Sequence, residues 1–310
     1  MKAIQSGLLK ITVFILLLLS MVSAPLFAES KLTKEQTEEL EKYQAWAKGI
    51  WDSLDRQIGE IKLDNAVATL NVPDNFYFLN ASDAEKVLVD IWGNPPGQST
   101  LGMLFPSEMT PFDEGSWAVT IEYEEDGYVS DDDADEIDYF KLLDQMKSDV
   151  NDASRERVKQ GYEEIELIGW AAAPYYQKES HKLHWAKELR FGDRPVNTLN
   201  YNIRVLGRKG VLVLNFIAQI NQKNLIDSEL ETVLAMAEFD TGNTYSDFDP
   251  DIDDVAAYGI GALVAGKLIA KTGLLAAAFI FLKKFAIIFI IAIGAFLKKL
   301  FSGKREKAES

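Results

Sequence analysis

The sequence predicts an α+β fold, in which helices pack on one face of an antiparallel sheet, followed by a C-terminal transmembrane helix. Residues 117–124 alternate apolar and polar side chains, as a half-buried strand does. A short Gly-bounded connection at 207–210 joins two strand-like segments, 198–206 and 211–220, which indicates a hairpin and antiparallel pairing. The apolar run 255–282 is long enough to cross a membrane.

The composition is that of a folded chain with few reactive side chains. Of 310 residues, 47% are hydrophobic and 26% charged, which allows a sizeable core in one or two domains. The chain contains no cysteine and two histidines. Disulfides, thiol catalysis, thiolate metal sites and iron–sulfur clusters are therefore excluded.

Charge is divided unevenly along the chain. The net charge is -16, yet residues 1–28 carry two lysines and no acid, and residues 255–310 carry nine Lys and Arg against two Glu. The middle of the chain is therefore more acidic than the total suggests. Such a body repels nucleic acid, whereas the basic end is attracted to a negative membrane face. We expect a membrane partner and no nucleic acid.

The N-terminus has the layout of a secretory signal peptide, residues 1–28. Lys2 and Lys10 precede the apolar segment 11–19, and small residues follow up to Ala28. We expect residues 29–250 to form an exported acidic α+β domain. The alternative is an uncleaved anchor, although the apolar segment is short for a membrane span of ~20 residues.

The C-terminus is predicted to be a membrane anchor over 255–300. Residues 255–282 would form the span, and a second apolar helix, 285–297, is short for a span of its own and fits an interfacial helix or the return arm of a hairpin. Basic residues follow the span and acidic ones precede it. The basic tail, 301–310, is therefore expected in the cytoplasm, and the domain outside the cell membrane.

Lys267 and Lys271 lie inside the predicted span, on one face of the helix. Insertion of a central lysine costs ~2.5 to 3.5 kcal/mol, so these residues need a reason to be there. They could line a helix interface or a water-filled pathway in a homo-oligomer. Alternatively, they snorkel toward the membrane surface.

The remaining elements follow from periodicity and capping. Helices are predicted at 34–58, at 82–92, at 136–160 and at 228–239. Further strands are predicted at 61–63, 67–72, 75–79, 164–171 and 182–191.

An acidic loop offers oxygen ligands, and its candidate residues are Asp131, Asp132, Asp133 and Asp135. Their spacing copies the start of a calcium-binding EF-hand loop, but Glu136 stands where glycine makes the turn and Leu142 where the last ligand belongs. We interpret the segment as an acidic loop that leads into a helix. A second acidic run, 247–254, is interpreted as a linker that stays outside. Neither a metal nor a cofactor is predicted.

The two histidines do not form a metal pair. His181 and His184 are three apart, which places them on opposite faces of a regular strand, unless His181 precedes the strand 182–191. The sequence contains no Gly-x-Ser-x-Gly elbow and no HExxH helix. No catalytic residue is predicted, and a binding or structural role is favoured over an enzyme.

Several segments resemble one protein family. They are Trp92–Pro96, Gly127–Ala134, parts of 169–186, Asn200–Leu212, and Tyr245–Phe248 together with Ala256–Gly259. In order and spacing these segments are similar to bacterial membrane-anchored proteins grouped as domain of unknown function 2167, over roughly residues 60–300. The resemblance implies a signal peptide, an exported α+β domain and a C-terminal anchor, with no established reaction or catalytic residue.

Taken together, these patterns predict a membrane-anchored envelope protein whose exported domain binds or scaffolds other envelope proteins. One alternative is a homo-oligomeric membrane conduit built from the Lys-bearing helices. Another is an envelope hydrolase that uses acidic residues.

Overall fold

The structure, a computed structural model, describes residues 33–64, 67–97 and 100–265. The predicted signal peptide, the second apolar helix, most of the predicted span, and both Lys267 and Lys271 lie outside these residues. The chain divides into two compact units, Met1–Asp52 and Ser53–Ser310.

Helix α1 (Lys34–Ser53) is the described part of the first unit. It begins with the capping box that the sequence predicts: Thr33 N–H donates to Gln36 Oε1 (2.8 Å), and Gln36 N–H donates to Thr33 Oγ1 (3.2 Å). The helix ends at Ser53, five residues before the predicted boundary at 58.

The second unit combines ten strands with four helices among its described residues. The strands are β1 (Gly59–Lys62), β2 (Ala68–Val72), β3 (Phe76–Asn80), β4 (Gly102–Pro106), β5 (Ala118–Glu124), β6 (Ile165–Gln177), β7 (Lys182–Phe191), β8 (Thr198–Leu206), β9 (Val211–Gln219) and β10 (Ala237–Phe239). The helices are α2 (Ala81–Glu85), which continues as a π-helical turn at Lys86–Ile91, α3 (Tyr139–Lys159), α4 (Lys223–Met236) and α5 (Ile260–Ala265).

Seven strands form one antiparallel sheet in the order β3-β4-β5-β9-β8-β7-β6, and β1-β2-β10 form a smaller antiparallel sheet. The predicted α+β class with antiparallel pairing is therefore confirmed. The predicted β8–β9 hairpin is also present, and Gly207 N–H donates to Gly210 O across its turn (2.9 Å). Gly210 is required for packing, since a Cβ there would lie 2.2 Å from the Glu124 carbonyl oxygen on β5.

The prediction that helices cover only one face of the sheet is wrong. Along β9, Leu212 and Leu214 join a core cluster with Ile226 and Val233 of α4. The alternate residues Val211 and Val213 join a second cluster on the opposite face, in which α3 contributes Leu142 and Met146 and α5 contributes Ile260 and Leu263. A strand that is apolar at successive positions is buried on both faces, and residues 211–214 are such a run.

The start of the predicted membrane span belongs to the domain. Residues 255–259 are not helical, and α5 begins only at Ile260, with five of its six residues buried. Asp133 caps this helix, accepting from the Ile260 N–H at 3.0 Å and from the Gly261 N–H at 3.4 Å. Within the described parts of the chain, no helix combines the length and the apolar character needed to cross a membrane. Residues 260–265 of the predicted span therefore pack in the domain core, and residues 266–282 of that span lie outside the described residues.

His184 is a buried core residue with 3% of its surface exposed. Its ring stacks on Tyr175 at 4.7 Å, and neither ring nitrogen has a hydrogen-bond partner among the described residues. Burial lowers the pKa of His184 to about 4, from an ordinary 6.5, with a smaller contribution from the charge of Lys182.

We expect this histidine to make folding stability pH dependent. The unfolded chain takes up the proton between pH 6.5 and 4 while the folded state does not, so stability falls as the pH falls through this window. The loss between pH 7 and pH 5 should be about 2 kcal/mol. Urea unfolding at both pH values measures it. His184→Phe keeps a stacked ring and should remove this part of the difference; an equal pH dependence in both proteins would contradict the assignment.

Candidate functional site

His181 is held in an unusual backbone conformation at the turn between β6 and β7. Its φ of 52° lies in the left-handed region, which few residues other than glycine adopt, although asparagine, aspartate and histidine do so more often than the others. A hydrogen bond from the Leu206 N–H to the His181 carbonyl oxygen (3.0 Å) fixes the turn against β8. His181 therefore precedes the strand, the exception that the sequence left open. Backbone strain of this kind is common at functional sites.

Asp131 holds two tyrosines beside this histidine. Tyr176 O–H donates to Asp131 Oδ2 at 2.8 Å, and Tyr245 O–H donates to Asp131 Oδ1 at 3.1 Å and to the Val129 carbonyl at 3.2 Å. Tyr176 Oη also lies 3.2 Å from His181 Nδ1. One carboxylate thus connects β6, the β6–β7 turn and the segment after β10.

The proton positions in this network follow from its geometry. Burial, followed by the hydrogen bond to Asp131, raises the pKa of Tyr176, and burial raises that of Tyr245, so both hydroxyls keep their protons. The single proton of Tyr176 goes to Asp131, and the Nδ1 of His181 must then be the donor to Tyr176 Oη. When the ring carries a single proton, that proton is on Nδ1, and Nε2 is a hydrogen-bond acceptor.

Aromatic stacking makes this part of the site rigid. The His181 ring lies 4.1 Å from the Tyr245 ring, which stacks in turn on Tyr128 at 4.5 Å. Tyr128 stacks on Phe248 at 3.8 Å. Four rings from three separated segments therefore form one continuous stack.

His181 and Tyr245 line a cleft of about 300 Å³ between the β6–β7 turn, the end of β8, β10 and the segment after β10. The residues along the cleft are Glu179, Ser180, His181, Lys182, Val205, Leu206, Leu234, Ala237, Glu238, Phe239, Thr244, Tyr245 and Ser246. Its walls are thus partly apolar, with polar groups at the turn and after β10.

The acidic loop does not gather its carboxylates at one point. Asp131 accepts from the two tyrosines, Asp133 caps α5, and Asp132 accepts from the Ser130 hydroxyl. Asp135 lies in an exposed 3₁₀ turn. No group of three or more His, Asp or Glu in the described residues could hold a metal ion. In the structure Asp131, Asp132 and Asp133 have internal bonding roles.

The second acidic run is also used internally. Arg208 Nε donates to Asp253 Oδ2 at 2.6 Å, and only 2% of the Asp253 side chain is exposed. This hydrogen bond is the main cause that holds the pKa of Asp253 below its usual range. Asp247 caps the turn at Tyr245–Asp247 by accepting from the Thr244 hydroxyl (2.6 Å). The segment predicted as a linker is therefore bonded to the domain.

The sequence indicates Asp131 as a candidate ligand and contains His181 as one of two histidines, but it does not place them together. It missed Tyr176 and Tyr245, because nothing in a single sequence marks a core-facing tyrosine as a hydrogen-bond donor to a carboxylate 45 or 114 residues away. Tyr245 was noted only within a segment that resembles the family. Lys267 and Lys271 lie outside the described residues.

Comparisons with known proteins establish the family. The model described as "Protein of unknown function (DUF2167)" matches residues 55–294, more than half of the chain, and the chain belongs to this family. No curated protein matches the chain.

Two solved structures show weak similarity. The solution structure of cyanobacterial PsbP (CyanoP) from Synechocystis sp. PCC 6803 has a TM-score of 0.34 and 14% identity, covering 61% of this chain and 93% of that one. The Saccharomyces cerevisiae Ran-binding protein Mog1p has a TM-score of 0.24 and 10% identity, covering 60% and 96%. At these TM-scores neither similarity extends to function.

Asp131 and Asp132 provide a matched test of the network. Asp131→Asn replaces a charged acceptor of two buried hydroxyls and should destabilise the domain by about 1 to 3 kcal/mol. Asp132→Asn removes the same charge one residue away, where the hydrogen bond from the Ser130 hydroxyl is exposed to solvent, and should change stability by less than about 0.5 kcal/mol. Urea unfolding compares them, and equal losses would refute the structural role of Asp131.

Proposed function

We propose that this member of the DUF2167 family is an exported, membrane-anchored protein of the bacterial cell envelope whose domain binds a ligand or partner at the membrane surface. The signal layout of residues 1–28 supports export, and the apolar segments after Ala265 with their basic ends support anchoring. We assign no reaction to the domain.

One observation carries the proposal: the segment that leads to the anchor is an integral part of the domain. Tyr128 N–H donates to the Asp254 carbonyl, and Ala256 N–H donates to the Tyr128 carbonyl, both at 2.8 Å. These bonds form a parallel bridge between Tyr128 and Val255. A Cβ at Gly127 would lie 2.7 Å from the Asp254 carbonyl oxygen, so glycine permits this close approach.

Two further contacts fix the same segment. The Arg208–Asp253 ion pair lies just before the bridge, and Arg208 Nη1 also donates to the Gly242 carbonyl at 3.1 Å. The Asp133 cap of α5 lies just after it. The ion pair and the helix cap together restrict the movement of this segment, whereas a free linker would have no such contacts.

The cleft and the anchor are therefore joined by one short, ordered stretch. Thr244, Tyr245 and Ser246 line the cleft, and the chain reaches α5 fourteen residues after Ser246. A domain connected in this way would present its cleft close to the membrane surface. Ligand binding and membrane attachment would then act on the same segment.

The position of α5 also bears on whether Lys267 and Lys271 snorkel or line a pathway. With residues 260–265 in the domain core, residues 266–282 remain for the crossing, a length of 17 residues, which is at the lower end of what a membrane requires. Lys267 would then stand at the start of the crossing rather than at its centre. This supports snorkelling over a charged pathway.

Introduced cysteines test the topology, because the chain has none of its own. Asp193→Cys lies on an exposed turn and should react with a membrane-impermeant maleimide in cells whose outer envelope is opened. Lys307→Cys should react only after the cell membrane is permeabilised. Labelling of Lys307→Cys from outside would indicate a two-pass hairpin instead, and protection of Asp193→Cys would overturn export.

The Lys267→Leu/Lys271→Leu double variant tests the conduit alternative. If the lysines snorkel, membrane insertion should be retained or strengthened, and the crosslinked oligomeric state should not change. Lys298→Gln/Lys299→Gln removes the same charge outside the first apolar run and serves as the control. Wild-type conductance in planar bilayers that only the Leu variant loses would support a conduit and contradict our assignment.

A further inference from the structure

We infer that the His181 cleft binds a small ligand that carries a primary ammonium group. The inference rests on the proposed function in taking the cleft to be a binding site, and it adds the chemical class of the ligand. The inference depends on which side chains of the cleft already donate their protons to other groups of the protein.

The hydroxyl groups along the cleft donate inward. Ser180 O–H donates to Gln177 Oε1 at 2.8 Å, and Thr244 O–H donates to the Asp247 carboxylate at 2.6 Å. Ser246 Oγ lies 3.1 Å from Thr244 Oγ1, and because the Thr244 proton is already used, Ser246 is the donor of that bond. The Ser180 and Ser246 oxygens then offer lone pairs, and no proton, to a ligand, whereas Thr244 Oγ1 already accepts from Ser246 and from the Asp247 N–H.

The aromatic side chains follow the same rule. Tyr245 gives its proton to Asp131 and the Val129 carbonyl, and the Nδ1 proton of His181 goes to Tyr176. The remaining His181 nitrogen, Nε2, is an acceptor on a side chain that is 33% exposed. A ligand that satisfies these groups must itself be rich in hydrogen-bond donors.

The charges favour a cation. Glu179 and Glu238 line the cleft and are exposed, and the carboxylates of Asp131 and Asp247 lie directly behind Tyr245 and Thr244. Lys182 is the one cationic side chain along the cleft among the described residues. An anionic ligand would be repelled by the carboxylates and the acceptor atoms of the cleft, and Lys182 would be the one charged side chain able to donate a hydrogen bond to it.

The size of the cleft and its aromatic lining further limit the class of ligand that it could bind. A volume of about 300 Å³ is at the small end of ligand sites, so the ligand is compact. The Phe239 ring lines the cleft and can attract a cation through its face. An ammonium group has three N–H donors and one positive charge, which matches both properties.

Three four-carbon compounds test the class with the full-length protein in detergent, by titration calorimetry at pH 7.5. Putrescine, a diamine, should bind with a saturable signal. 1,4-Butanediol has donors without charge and should bind at least tenfold more weakly, and succinate should give no saturable signal. Absence of putrescine binding, or tighter binding of succinate, would overturn the inference.

Matched variants locate the binding. His181→Asn keeps a residue that tolerates the left-handed backbone but removes the ring, and should weaken putrescine binding about tenfold. Glu179→Gln combined with Glu238→Gln should weaken it about fivefold, whereas Glu164→Gln, at the far end of β6, should not change it. Putrescine affinity that is the same in all these variants would place the binding elsewhere and overturn the inference.

One variant is expected to bind putrescine more tightly than the wild type. A gain of affinity cannot result from poor folding, so this variant tests the inference even if the others fold poorly. Lys182→Gln removes the cation in the cleft and should strengthen putrescine binding about threefold, whereas Lys178→Gln, on the same turn but outside the cleft, should have no effect. Weaker binding in Lys182→Gln would contradict the charge argument.

The two proposals fail separately. Cysteine labelling that shows export, together with no putrescine binding, would refute the ligand class and leave the exported anchor. Putrescine binding that depends on His181, together with a protected Asp193→Cys, would establish the ligand class and refute the location.

Discussion

The carboxylate of Asp131 accepts hydrogen bonds from Tyr176 on β6 and Tyr245 after β10, and the positions of His181 and Tyr245 in the cleft depend on it. A charged acceptor makes stronger hydrogen bonds than a neutral one, and here it orders two long side chains at once. Tyr176 accepts the hydrogen bond from His181 Nδ1 and so determines which ring nitrogen carries the proton. Tyr245 supports the histidine ring by stacking. The side chains of the β6–β7 turn therefore have defined roles as donors or acceptors.

The same loop orders the C-terminal segment. Tyr128 pairs with the backbone at 254–256, and Asp133 caps α5, so the loop that carries Asp131 also holds the chain that leaves the domain. Asp253 is largely buried and paired with Arg208. Removing one partner of such a pair would leave an uncompensated buried charge, which makes this junction costly to open. Ligand contacts at Thr244–Ser246 would act on a segment that is already constrained at both ends.

A strongly acidic composition is often interpreted as a solvated surface, but many of these aspartates are structural. Asp83 accepts from the Asp55 N–H at 2.8 Å, Asp138 caps α3, and Asp247 caps a 3₁₀ turn. Each satisfies backbone or side-chain donors that would otherwise be unpaired. The carboxylates are distributed along separate segments for this reason, and they do not converge as metal ligands do.

The sequence alone determined the fold class, the β8–β9 hairpin, the cap of α1 and the family, because periodicity, turn residues and capping are local signals. It also named Asp131 as part of an acidic loop and His181 as one of two histidines. It could not determine that both faces of the sheet are covered, nor that Ile260–Ala265 lie in the core. An apolar segment has the same composition whether a protein core or a lipid bilayer surrounds it, and only tertiary contacts distinguish the two. The contacts between Asp131, Tyr176, His181 and Tyr245 were likewise decided by the tertiary structure. They join three segments that are far apart in the sequence, and no local signal brings such segments within hydrogen-bonding and stacking distance.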